Sequence, residues 1–131
     1  MKRLSAALLL APALVVAGPY DQPYVIITTD TAPAVDPNLR PVLVNRVDGE
    51  NVLNNLAVVA PGKRKVTLDL PPRQGFNSST QETLDLDAKA CTRYFVAAKL
   101  DNAVSQKWAP VIRRTEAIGE CESKFKIKSA K

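Results

Sequence analysis

Apolar residues recur at every second position over short stretches of this chain, the period of a half-buried strand. The stretch "YVIITT" (24–29) reads as a first strand, followed by the proline-rich connection "DTAPAVDPNLRP". "VLVNRV" (42–47) is a second, ended by the turn signal Asp48-Gly49. "NLAVVA" (55–60) and "RKVTLDL" (64–70) flank Pro61-Gly62, which reads as a hairpin-like turn. After the loop "PPRQGFNSST" comes "ETLDLD" (82–87). The tetrad "TLDL" stands at 67–70 and again at 83–86, with leucines on one face and Thr/Asp on the other, as in two half-buried strands of the same kind. Prolines 33, 37, 41, 61, 71, 72 and 110 recur too closely for long helices. Short strands at this spacing predict an all-β protein, a single antiparallel β-sandwich. "VIRRTEAI" (111–118) is a competing helical stretch.

The segment 92–100 alternates most clearly: Tyr94, Val96, Ala98 and Leu100 face one way, Arg93, Phe95, Ala97 and Lys99 the other. In 107–113, Trp108, Pro110 and Ile112 face in, and Lys107, Ala109, Val111 and Arg113 face out. If the two segments form a hairpin, parity sets either Lys99 or Asp101 opposite Lys107. Like charges directly opposite are destabilising, which favours Asp101. That register puts Cys91 across from about Ala117, with Trp108 and Tyr94 expected to supply the core bulk beside the Cys91 bridge.

Residues 1–17, "MKRLSAALLLAPALVVA", carry a basic start and an apolar run broken by Pro12, too short to span a bilayer. They read as a signal peptide, and Val15 and Ala17 place cleavage before Gly18. Residues 18–131 then form one domain, exported to the periplasm or beyond and without a transmembrane anchor. Losing Lys2 and Arg3 lowers the net charge from +5 to +3, mildly basic and unlike a dedicated nucleic-acid binder. Cys91 and Cys121 are the only cysteines. Their separation is unlike a C-x-x-C metal or redox pair, so an exported chain is expected to join them in a disulfide. Cα atoms of a disulfide lie within about 7 Å, so the chain must fold back at "AIGEC", with Gly119 as the flexible position.

With those residues placed, "VNRVDGENV" and "VVAPGKRKVTLDL" resemble PEGA-like β-sandwich domains of bacterial envelope proteins, in which a strand ends in a D-G turn and a later P-G-K turn opens the next. The continuation "LDAKACTRYFVAAKL", "KWAPVI" and "IGEC" is similar to small exported bacterial proteins with a related sandwich. The resemblance spans roughly residues 42 to 121. It implies an envelope location and an immunoglobulin-like or PEGA-like architecture, and it transfers no active site.

Histidine is absent, which removes the usual general base and every histidine-containing triad or metal site. No G-x-S-x-G or phosphate-binding glycine loop occurs, and a bonded cysteine pair leaves no thiol nucleophile. No catalysis and no cofactor are expected. Asp69, Asp85 and Asp87 share an outward strand face, better suited to solvent than to a hard cation that wants six or more oxygens in a tight loop. Arg93, Lys99, Lys107 and Arg113, with Phe95 among them, gather on the outer face of the 92–113 hairpin. Such a face could hold an anionic envelope polymer or an envelope protein; strand positions of this kind are also ordinary solvated surface. The tail "KFKIKSAK" alternates lysine and apolar residues, like an edge strand guarded against aggregation or offered to a partner sheet. Phe76 lies in the loop before residue 80, and Asn77-Ser78-Ser79 matches a glycosylation sequon. The expectation is an exported, monomeric, non-catalytic binding protein of the envelope. The alternative is a structural accessory subunit that pairs through its edge strands.

Overall fold

The computed structural model describes residues 18–30, 36–71, 80–102 and 107–127. Residues 1–17, expected to be a signal peptide, Phe76, the sequon match and the last four residues of the tail lie outside them. The described chain is mostly β: β1 (Val25–Thr29), β2 (Leu39–Arg40), β3 (Leu43–Val47), β4 (Glu50–Asn51), β5 (Leu56–Val59), β6 (Gly62–Leu70), β7 (Thr80–Ala88), β8 (Thr92–Leu100), β9 (Trp108–Ala117) and one short helix, α1 (Gly119–Phe125).

Two sheets share one core. In the first, β8 is central: β9 runs along one side, and β1 and then β2 run along the other, with β5 beyond β1. The second is ordered β4-β3-β6-β7. Between them the inward positions meet: Val25 and Ile27 of β1, and Tyr94, Val96, Ala98 and Leu100 of β8, against Val44 and Val47 of β3 and Val66, Leu68 and Leu70 of β6. The inward parity read for β8 is therefore the observed one. Trp108 ties the layers together by donating from Nε1 to Thr80 Oγ1 at 2.7 Å.

The two "TLDL" tetrads are neighbours, with Thr67 paired to Thr83 in the β6–β7 ladder. Asp48-Gly49 forms the two-residue β3–β4 turn, both residues at positive φ (52° and 84°), as tight hairpins require. The β8–β9 hairpin takes the register that avoids opposed lysines: Leu100 faces Trp108, and Asp101 N donates to Lys107 O at 3.3 Å.

Three expectations fail and one competing reading drops out. First, β5 and β6 do not pair; they lie in different sheets, and Pro61-Gly62 is a crossing between layers, with Gly62 at φ 120°. Arg64 secures the crossing by donating to Ala60 O at 2.9 Å and Pro61 O at 3.1 Å. Second, the pairing is not wholly antiparallel, because β1 runs parallel to β8. Third, the competing helical reading of "VIRRTEAI" drops out: the segment is strand through Ala117, in line with the hairpin, and the helix follows it. Fourth, the described part of the tail is no edge strand: Lys124 and Phe125 end α1, and Lys126 caps it in the left-handed conformation. Glu120 and Glu122 in the first turn and Lys124 in the last suit the helix dipole. Gly119 opens the helix.

The fold-back does join Cys91 to Cys121, with Cα atoms 5.2 Å apart. The bridge is not beside Trp108 and Tyr94, however. Cys91 shares the odd, outward parity of Arg93, so it opens onto the opposite face of the sheet. There it forms a second cluster with Tyr24, Ile26, Ile118 and Cys121, flanked by Val58 and Phe125. Among the described residues no helix is long and apolar enough to cross a membrane.

Candidate functional site

At one end of the first sheet's outer face α1 packs around the disulfide with Tyr24 and Ile26; the candidate residues lie on the rest of β8 and β9. Position by position, Arg93 is half-buried and stands opposite Glu116 in the β8–β9 ladder. Lys99 forms an ion pair with Asp36, which also accepts from Asn38 N at 2.8 Å. These contacts, Lys99 first, hold the Asp36 carboxyl below its ordinary value. Lys107 sits at the mouth of the hairpin, beside Asp101.

Arg113 and Arg114 depart from simple alternation. Between Val96/Ile112 and Phe95/Arg114 the ladder shifts by one residue, so β9 carries a bulge at Arg113. The bulge brings both guanidiniums to the same carboxylate. Arg114 Nε lies 2.7 Å and Arg113 Nη1 3.5 Å from Asp30 Oδ2. The Asp30 side chain is only 5% exposed, so the pair compensates a charge that burial alone would penalise. Asp30 is also the main reason the Arg114 guanidinium holds its proton more tightly than usual. Arg114 Nη1 reaches Glu116 Oε2 at 3.0 Å.

The same bulge changes what Phe95 can do. Read from sequence as an exposed aromatic, it is 8% exposed, and the Arg114 guanidinium lies 3.7 Å from its ring centroid. The ring is a platform for Arg114, and the arginine is what solvent meets. Ile112, expected in the core, is 41% exposed, since it lies on an edge strand just before the bulge.

Asp30, Asp36, Arg114 and Glu116 are the site residues that alternation alone did not find. One signal was present: an Arg-Arg doublet inside a period-two strand breaks the alternation, as a bulge does.

The outer face of the second sheet is a matched ladder. Lys63 stands opposite Asp87, Lys65 opposite Asp85, and Asp69 opposite Gln81. Together with Asp48 and Arg64, the first two pairs line a shallow groove of about 480 Å³. Asp85 and Asp87 thus each face a lysine, and among the described residues no group of acidic side chains is placed to hold a metal.

No protein-family model matches the chain, nor does any curated protein or solved structure.

Proposed function

We propose that this chain is an exported, non-catalytic binding protein of the bacterial cell envelope, folded as an immunoglobulin-like or PEGA-like β-sandwich and working in the periplasm or outside the cell. Two fully buried half-cystines that staple a short helix support the export reading, because such bonds persist in oxidising compartments. The lack of histidine and of a free thiol supports the absence of catalysis.

The observation that carries the choice of partner is the internal pairing of the outer face. Lys99 holds Asp36, Arg113 and Arg114 hold Asp30, and Arg93 faces Glu116. A polyanion would have to compete with every one of these carboxylates. A face of interleaved charges suits a protein partner, in which opposite charges on both sides set orientation and specificity. An envelope protein is therefore preferred to an anionic polymer.

The test is a capture experiment from envelope extract, comparing the protein with its Arg93→Glu/Lys99→Glu variant, with lipopolysaccharide binding measured in parallel at two salt concentrations. The expected result is a saturable protein partner lost on double reversal, at a temperature where melting curves show both proteins folded, and no lipopolysaccharide bound. Salt-sensitive lipopolysaccharide binding abolished by the reversal would make the face an anionic-polymer site. Capture untouched by the reversal would take this face out of recognition.

The rival reading, an accessory subunit that pairs through edge strands, draws on one specific feature: among the described residues β9 has a sheet partner on one side only.

A further inference from the structure

The outer edge of β9 has its own pattern of backbone groups, independent of what the outer face binds. At one end of the ladder Asp101 N donates to Lys107 O; at the other, Ile118 N donates to Cys91 O at 2.9 Å. Hydrogen-bonded and non-bonded pairs alternate in an antiparallel ladder. Counting inward from each end, Ala109, Val111, Arg114 and Glu116 turn their backbone groups toward β8. Trp108, Pro110, Ile112, Thr115 and Ala117 turn theirs to the open side.

That open side is guarded along its first half. Pro110 offers no donor, and the bulge at Arg113 bends the strand just after Ile112. The second half, from Arg114 to Ala117, is regular and exposed. We infer that this half pairs antiparallel with the same segment of a second copy, about a twofold axis at Thr115.

The register follows from elimination and charge. A twofold axis between antiparallel edges can pass through any directly opposed pair. On Arg114 or Glu116 it would oppose like charges, and on Ala109 or Val111 it would put Pro110, without an N–H, in a bonded pair. That leaves residues whose backbone groups point outward. Centred on Ile112, it would set Pro110, without an N–H, across from Arg114 and run the pairing through both bulges. Centred on Ala117, it would set Glu116 across from Ile118 and Arg114 across from Glu120, where the strand has ended and α1 has begun. Centred on Thr115, it sets Thr115 against Thr115 and Arg114 against Glu116 twice, on the same outer face. Opposite charges and threonine pairs directly across strands are both favourable.

The charges are also held in place beforehand. Arg114 is fixed by Asp30 and by the Phe95 ring, and Glu116 by Arg114, so little side-chain freedom is lost on pairing. Two first-sheet edges joined in this way make one continuous sheet across the dimer. The stretch is short, so the interface falls at the low end of specific contacts, below roughly 1,200 Å². The dimer is concentration-dependent and gives way to monomer on dilution, which refines the monomer expected from sequence.

Three measurements on the purified protein test it. Sedimentation equilibrium over a wide concentration range should show reversible monomer–dimer behaviour. Thr115→Pro should abolish the dimer with an unchanged fold, because the alternation turns the Thr115 N–H away from β8, its strand's partner among the described residues. Thr115→Cys introduces the one free thiol and should cross-link to itself under mild oxidation, the Cα separation of a bonded pair (about 5.5 Å) lying within disulfide reach. Ala109→Cys, whose backbone turns toward β8, should not cross-link. A strictly monomeric protein at every concentration overturns the inference. So does a dimer that survives Thr115→Pro, or cross-linking of the Ala109→Cys variant without cross-linking of Thr115→Cys.

Discussion

Between the two sheets, Ile27, Val66, Leu68 and Val96 are wholly buried among side chains from both layers. Under α1 the apolar set is small: Tyr24, Ile26 and Ile118, with Val58 and Phe125 at the margin, around a disulfide. The large cluster holds itself by area removed from water, at roughly 25 cal/mol per Å². The small one orders a seven-residue helix, too short to be stable alone, on few contacts. The covalent bond stands where burial is thin. Even the backbone at the bridge is demanding, since Cys91 sits at φ 57°, a conformation that costs an ordinary residue roughly 1–2 kcal/mol. It is held there by Cys91 N donating to Tyr24 O at 2.7 Å, by Ile118 N donating to Cys91 O, and by the bridge itself.

The strongest way to break this contrast is to empty the large core. Leu68→Ala should cost roughly 3–5 kcal/mol, the upper part of the range for a fully buried leucine. Urea unfolding should show every probe shifting together, α1 included. An α1 signal that stayed behind would mean that the small cluster folds by itself.

Removing the bridge attacks the other side. Cys91→Ala/Cys121→Ala should cost roughly 3–4 kcal/mol on the chain-entropy account of a loop this long. The distribution of the loss is the sharper reading. Amide exchange should rise first from Glu120 to Ile127, while Val66, Leu68 and Val96 keep most of their protection relative to global stability. Uniform loss would merge the two clusters into one cooperative unit.

A smaller effect is expected at the clamp. Arg114→Ala uncovers the Phe95 ring and leaves Asp30 with Arg113 at the longer distance, so it should lower the melting temperature by less than either change above. Thermal melts of Arg114→Ala and Arg114→Lys compare the two contributions. A lysine restores charge but not the planar stack, so partial rescue assigns the remainder to the ring contact. Full rescue would reduce the clamp to charge alone.

The strands could be read because period two reports which side chains share a face, and that is what buried Tyr94, Val96, Ala98 and Leu100 supply. The β8–β9 register could be read because one alternative opposed two lysines. Period two does not report which strand is the neighbour. The parallel contact of β1 with β8 and the crossing at Pro61-Gly62 therefore stayed hidden, since both are decided by packing between distant segments. For the outer face, Arg93 and Lys99 followed from parity, but the carboxylates that occupy its cations come from Asp30 and Asp36, far away in sequence. The helix was concealed by the lysine–apolar alternation of "KFKIK", although the order Glu120, Glu122, Lys124 matched a helix dipole.

Acid offers the mildest test and aims at the rim of the large core. Asp48 closes the β3–β4 turn and accepts from Lys65 N at 2.8 Å and from Arg64 Nη1 at 2.9 Å. These contacts, the Lys65 amide first, hold its carboxyl below the ordinary value of 3.8. A carboxylate lowered in the folded state binds fewer protons there than in the unfolded chain. Its contribution is complete above the ordinary value and is lost as pH falls through the lower, folded one. Asp48→Asn should therefore melt below the wild type at neutral pH, and the gap should narrow as the solution is acidified below about pH 4. Arg64 also holds the Pro61-Gly62 crossing, so exchange in acid should quicken around 48–65 before it quickens in α1, whose bridge does not titrate. A gap between wild type and Asp48→Asn that stayed constant down to the acid transition would show that the turn does not draw on the charge. Early loss of α1 in acid would place the weaker of the two regions under the disulfide and not at this rim.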